Sequence, residues 1–284
     1  MGSAAITAAR PFWGHQAMPG LGLALGITLA WLAAIVLVPL AALALRPWEL
    51  GVAGVIGALL EPRVLAAFRI SFGGAAIAGL ASVPLGILFA WVITRYRFPG
   101  RRVMDALLDL PFALPTAVAG LALTALFAPT GWLGAPIEQV TGWKVAYTPA
   151  GIVVALTFVA LPFVVRTVEP VLRDLSLDAE EAAATLGATR LQTIRRVVMP
   201  ALLPATITGF ALGFARAVGE YGSVIFIAGN IPMVSEIAPL LIVVKLEQFD
   251  YAAAAAIGLA MLLLSFLVLL LLNLWQRRLR RGRA

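Results

Sequence analysis

The chain has no cysteine and a single histidine, His15. Without thiols there is no disulfide scaffold, thiolate metal site or thiol nucleophile, and one histidine lacks the partners that zinc ligation requires. Charge is scarce as well: Asp, Glu, Lys and Arg make up 12% of 284 residues, against ~25% in an average soluble chain. A water-facing surface needs more polar side chains than that. No G-x-x-x-x-G-K-[ST] phosphate loop occurs, so the chain does not bind ATP in that manner by itself. Gly20, Gly22 and Gly26 only mimic a dinucleotide fingerprint, because the last spacing is one residue too long and no strand precedes them. What the chain has in excess is apolar length. Hydrophobic residues reach 62% and mean hydropathy is +0.99, which marks an integral membrane protein.

A hydrocarbon core takes ~20 apolar residues as a helix. Six stretches qualify, at about 21–45, 70–94, 108–128, 146–166, 204–228 and 251–275. The expected fold is therefore all-α and integral to the membrane, with six transmembrane helices in residues 21–275. Residues 1–20 form an N-terminal tail, 167–203 a long polar loop, and 276–284 an Arg-rich tail. The third stretch opens on Asp109 and carries Pro111 and Pro115, which free backbone carbonyls and predict a kinked helix, structural or pore-facing. Leu50 to Leu60 is too short to span and is expected at a membrane surface; Ile237 to Val244 reads as re-entrant or surface-lying. A cleaved signal at Met1 to Leu45 is not expected, since its apolar run of 25 residues far exceeds the ~7–15 of a signal peptide.

Basic residues set the orientation. With the N-terminus cytoplasmic, that side holds Arg10, the four arginines of 95–102, the five of 166–196 and the five of the tail. The opposite side holds Arg46, Arg63, Arg69, Lys144 and Lys245, and Arg216 lies within a span. Both termini are expected in the cytoplasm. The net charge of +7 is then an orientation and headgroup device, with membrane lipid and not nucleic acid as its partner. Trp13, Trp48, Trp132, Trp143 and Trp275 fall near span ends, as interface anchors do.

The loop between the fourth and fifth spans is the most informative segment. Asp178 with Glu181 reads as a capping box opening an alanine-rich helix. Gly187 supplies the left-handed residue that ends it. Thr189 with Gln192 reads as a second capping box, starting a helix that Pro200 stops. Ala182 and Ala183 cover little, so a partner can approach the backbone closely, and Glu180 and Glu181 place charge where a helix N-terminus favours it. This describes a docking knob and not a catalytic site; the plain alternative is an amphipathic helix on the headgroups.

Glu181-Ala182-Ala183, Gly187, Val197 and Met199-Pro200 resemble the EAA loop of ABC-importer permeases, with Val197 and Met199 standing where Ile and Leu are commoner. Arg95 to Gly100, Asp109 to Thr116, Arg216 to Gly222 and Phe226 to Pro232 look like the sulfate/molybdate branch. Lys245 to Tyr251 looks like the T-type sulfate/thiosulfate permeases. The resemblance covers nearly the whole chain beyond the first twenty residues. It implies the type I ABC-importer permease fold and a subunit of the bacterial inner membrane that moves sulfate or thiosulfate by alternating access. It implies three kinds of partner beside the membrane lipid: a second, W-type permease, two ATPase subunits and a periplasmic sulfate-binding protein. ATP and Mg would belong to the ATPase, with no cofactor, metal or catalytic residue in this chain. A molybdate/tungstate permease remains an alternative, as does an ion-coupled secondary anion transporter. The last would be expected to show repeated halves, which this sequence does not show, and it leaves the loop unexplained.

Arg216 and Glu220 are the ionisable pair deep in a span. Each would cost at least ~2.5 kcal/mol alone in lipid, so both must face protein or water. They are four apart and can meet on one helix face. A structural pair is favoured over a pathway pair, because tight anion binding in a pore slows exit. Tyr221, Gly222 and Asn230 follow as possible pore or interface residues. Gly209 and Gly213 form a G-x-x-x-G step suited to a packed, inter-permease interface.

Overall fold

The computed structural model describes residues 20–281. Trp13, His15, Arg10 and most of the 1–20 tail lie outside the described residues, as do 282–284 with Arg283. The described chain is built of helices. Helix α1 (Leu21–Leu45) leads through a short 3-10 turn into α2 (Gly51–Leu59), and α3 (Pro62–Arg95) follows. Next come α4 (Arg101–Leu108), α5 (Leu110–Ala113), α6 (Thr116–Phe127) and α7 (Gly134–Thr141). The long α8 (Pro149–Asp174) precedes the loop helices α9 (Leu177–Thr185) and α10 (Arg190–Thr193). Then follow α11 (Met199–Val218), α12 (Val224–Ile227), α13 (Ala238–Glu247) and α14 (Tyr251–Arg281).

Among the described residues, five helical stretches are long and apolar enough to cross a membrane: Leu21–Leu59, Pro62–Arg95, Pro149–Asp174, Arg190–Val218 and Tyr251–Gln276. The sixth run expected, at 108–128, is not among them, because it is not continuous. Leu114 is extended (φ −80°, ψ 137°) ahead of Pro115, itself at ψ 131°, because the proline ring disfavours a helical residue before it. The twelve residues of α6 rise only ~18 Å, short of the ~30 Å core. The second helix extends well beyond the expected 70–94, and the fourth runs eight residues past Arg166, to Asp174.

The centre is a three-helix core of α3, α8 and α11, held by glycines that let backbones approach. A Cβ on Gly86 would lie 2.6 Å from Val164, and one on Gly79 2.9 Å from Phe210. Gly209 and Gly213 face Thr167, Val164 and Ala160 of α8. The G-x-x-x-G step therefore serves this chain's own core and not an interface with a second permease. By contrast, no residue of α1 is buried; it meets the rest of the chain where Leu43 approaches Gly258 of α14.

The stretch containing Ile237 to Val244 folds back against α3. The Ala238 amide donates to Ser71 Oγ at 2.8 Å, nine residues into α3, while Lys245 returns to within 3.6 Å of Glu61. Arg63 fixes this dip with two 2.7 Å bonds to the buried Glu236. That pair was not foreseen, since 173 residues separate its members and no local pattern connects them.

Candidate functional site

The docking loop is built by two caps and one glycine. Ser176, not Asp178, is the N-cap of α9: its hydroxyl accepts from the Asp178 amide at 3.1 Å. The hydroxyl two residues earlier takes the capping position, so Asp178 and Glu181 form no capping box. Gly187 turns the chain at φ +80°, a region costly for side chains bearing a Cβ, and open space surrounds its Cα. Thr189 then makes the expected capping box with Gln192, whose side chain accepts from the Thr189 amide at 2.8 Å. Pro200 does not stop the helix. A π-helical turn over Ile194–Val198 widens the spiral ahead of it, so that Pro200 sits in the first turn of α11, where a missing N–H is tolerated.

The loop splits its acidic residues between two tasks. Glu181 and Ala182 are exposed, Ala183 is half-buried, and Leu186 projects with 88% of its surface free. Glu180 instead turns back and accepts from Arg95, the last residue of α3, at 2.6 Å. Arg95 also lies 5.6 Å from the Trp91 ring centroid. The knob is thus pinned to the end of a core helix and offers a small-sided face outward.

A second charged cluster ties the broken third span to α8. Arg166 donates to Asp109 through Nε (2.9 Å) and Nη2 (2.6 Å) and to Glu169 through Nη1 (2.7 Å), and its Nη1 also forms an ion pair with Asp105 at 2.8 Å. Glu169 is 5% exposed and also pairs with Arg173. Composition placed Arg166 at a span boundary as an orientation residue; its role as a three-carboxylate hub was missed. The i,i+3 and i,i+4 spacing of Arg166, Glu169 and Arg173 was the available signal.

Arg216 and Glu220 do meet, at 2.5 Å, but not on one continuous helix. α11 ends at Val218, and Gly219 to Ser223 unwind before α12. Glu220, 3% exposed, fills its carboxylate: Arg216 binds Oε2, while the Ser223 amide and hydroxyl donate to Oε1 at 3.0 and 3.1 Å. Gly222 packs on the first residue of α6, where a Cβ would lie 2.2 Å from Thr116 Oγ1; a Cβ on Gly120 would lie 2.6 Å from the Ser223 carbonyl. Two interrupted spans therefore meet backbone to backbone. The Tyr221 carbonyl accepts from the Val224 and Ile225 amides. Asn230 lies further along the chain at φ +53°, donating to the Ile225 carbonyl at 2.7 Å. The docking loop, the Arg166 hub and this break are three separate places on one core, and among the described residues no group of His, Cys, Asp or Glu has a metal-binding arrangement.

Residues 82–282, from the middle of α3 through the loop to the C-terminal helix, match the binding-protein-dependent transport system inner membrane component family. The chain belongs to that family. It is a multi-pass component of a transport system. The sulfate transport system permease protein CysT of Salmonella typhimurium is 48% identical over 264 residues, 93% of this chain and 95% of that one. Its namesake in Synechocystis is 45% identical over 273 residues, covering 94% of this chain and 92% of the relative. Among solved structures, a bacterial alginate ABC transporter in complex with its pentasaccharide-bound periplasmic protein aligns at a TM-score of 0.75. That match has 17% identity and covers 91% of this chain and 94% of that one. It establishes the shared fold, the type I ABC-importer permease fold. The family also sets aside the ion-coupled secondary transporter, because its members work with a binding protein.

Proposed function

We propose that the chain is the T-type permease subunit of an ATP-driven importer that moves sulfate, and thiosulfate with it, across the bacterial inner membrane. Both termini lie in the cytoplasm, which places Arg95 and α9 on the ATPase side and α2, α7 and α13 on the periplasmic side. The partners are a W-type permease, two ATPase subunits that bind ATP and Mg, and a periplasmic sulfate-binding protein. The chain itself supplies no catalytic group and no cofactor site. Sulfate is favoured over molybdate or tungstate because relatives matching nearly end to end carry the sulfate name.

The observation that carries the coupling is the knob itself: an alanine face beside Glu181, closed by a left-handed Gly187 and pinned by Glu180 to Arg95. Glu181, Ala182, Ala183 and Gly187 seat in a groove of the ATPase. ATP-bound closure of the ATPase dimer selects the outward-facing conformation, sulfate passes from the binding protein into the chamber, and hydrolysis resets the pore. Two routes lead from the knob into the core: Glu180 to Arg95 at the end of α3, and α10 with its π turn and Pro200 directly into α11. Arg216, whose guanidinium side chain keeps 38% exposure, lies with Glu220, Tyr221, Gly222 and Asn230 on the segment nearest the pore or permease interface. Glu220 there is a structural anchor, since its oxygens are occupied.

Gly187→Val puts a β-branched residue at φ +80°, which is strongly disfavoured, and Ala183→Trp adds bulk with no backbone strain. Both variants should reach the membrane at normal levels, co-purify with less ATPase and lose sulfate uptake. Wild-type ATPase retention and uptake in both would refute the coupling role.

A further inference from the structure

Arg97, in the turn between α3 and α4, and Arg101 and Arg102, the first two residues of α4, converge on one cavity. Arg97, Arg101 and Arg102, with Phe98, Gly100 and Val103, line a space of about 370 Å³. None of the three has an ion-pair partner among the described residues, whereas Arg46, Arg63, Arg95, Arg166, Arg173 and Arg216 are all paired. Beside the cavity the surface is apolar, not polar. Tyr96 is 47% exposed, Val103 62% and Leu107 55%, on a turn and a strongly amphipathic helix that buries Leu108 on its other face. Cations bordered by exposed apolar side chains fit the boundary between headgroups and acyl chains.

We propose that this cavity is a binding site for the headgroup of an anionic phospholipid. The phosphodiester lies among Arg97, Arg101 and Arg102, and its acyl chains run along Val103 and Leu107. Arginine suits the task because its guanidinium fork stays charged and matches phosphate oxygens in pairs. The site adjoins Arg95, which holds Glu180 of the docking loop, so a bound lipid braces the end of α3 from which the knob hangs.

The test uses the transporter purified from membranes with its co-purifying subunits, then washed and reconstituted in nanodiscs of phosphatidylcholine doped with labelled phosphatidylglycerol. Bound phosphatidylglycerol is counted for wild type, for Arg97→Gln/Arg101→Gln/Arg102→Gln, for the corresponding triple lysine variant, and for Arg190→Gln/Arg195→Gln/Arg196→Gln. The last removes equal charge from the neighbouring loop. Each charge lost near the surface weakens headgroup attraction about fivefold. The glutamine triple at 97–102 should therefore lose nearly all tightly held lipid while keeping its ATPase subunits. The lysine triple should keep most of the lipid, and the 190–196 variant all of it. Single Arg101→Gln, which leaves two charges for folding and orientation, should show the smaller loss. Equal loss in both glutamine triples would reduce the effect to diffuse charge and overturn the proposal. Full lipid retention at 97–102 would overturn it too, and so would lost ATPase with lipid retained, which would make the cavity a protein contact.

Discussion

Glu220 accepts from three donors with two oxygens, and that occupancy decides how the pair with Arg216 behaves. A buried carboxylate deprived of its cation keeps its desolvation cost, ~3–5 kcal/mol for a fully buried pair. Arg216 is 38% exposed, so water offsets part of that figure. Arg216→Ala should therefore lower the yield of assembled complex more than it alters anion selectivity. Adding Glu220→Ala should recover part of the yield, read by solubilised complex per membrane. If the double variant recovers nothing, and fully assembled Arg216→Ala complexes fail in transport, Arg216 belongs to the pathway. At the same scale, Glu180 is the residue whose position differs most from a simple docking face: it points to Arg95, with both side chains largely buried at 16% and 24% exposure. Arg95→Glu and Glu180→Arg should each impair sulfate uptake. Combining them restores the attraction and should recover uptake by several-fold over either single variant. Neutral single variants would remove this link between loop and core.

At the scale of elements, local patterns were legible and distant pairings were not. The Thr189–Gln192 box and the left-handed Gly187 form as three-residue and single-residue signals allow. Pro115 breaks the third span through its effect on Leu114, again a neighbour effect. The errors came from competition between adjacent signals. Ser176 took the cap from Asp178, and a π turn absorbed Pro200 instead of ending the helix. The Arg63–Glu236 clamp and the bond from Arg166 to Asp109 cross 173 and 57 residues, and only the assembled core brings them together. The G-x-x-x-G step was legible as packing but not as to its partner, since small residues admit any helix that approaches.

For the whole molecule, the packed core of α3, α8 and α11 is the unit to which the loop, the Arg166 hub and the 219–223 break are all attached. The proposed orientation rests on the arginine distribution. A periplasm-active reporter fused after Arg283 should be silent and a cytoplasm-active one bright; the reverse would invert every assignment of loop to partner. In the proposed mechanism this chain forms a sulfate pore driven from its cytoplasmic loop by ATP. The most direct test of that mechanism is radiolabelled sulfate accumulation in proteoliposomes that hold the full complex, with binding protein and sulfate outside and ATP-Mg enclosed. Sulfate should accumulate only when ATP is enclosed, be competed by thiosulfate, and fail with Gly187→Val. Accumulation without ATP under an ion gradient, or uptake of molybdate in place of sulfate, would contradict the account.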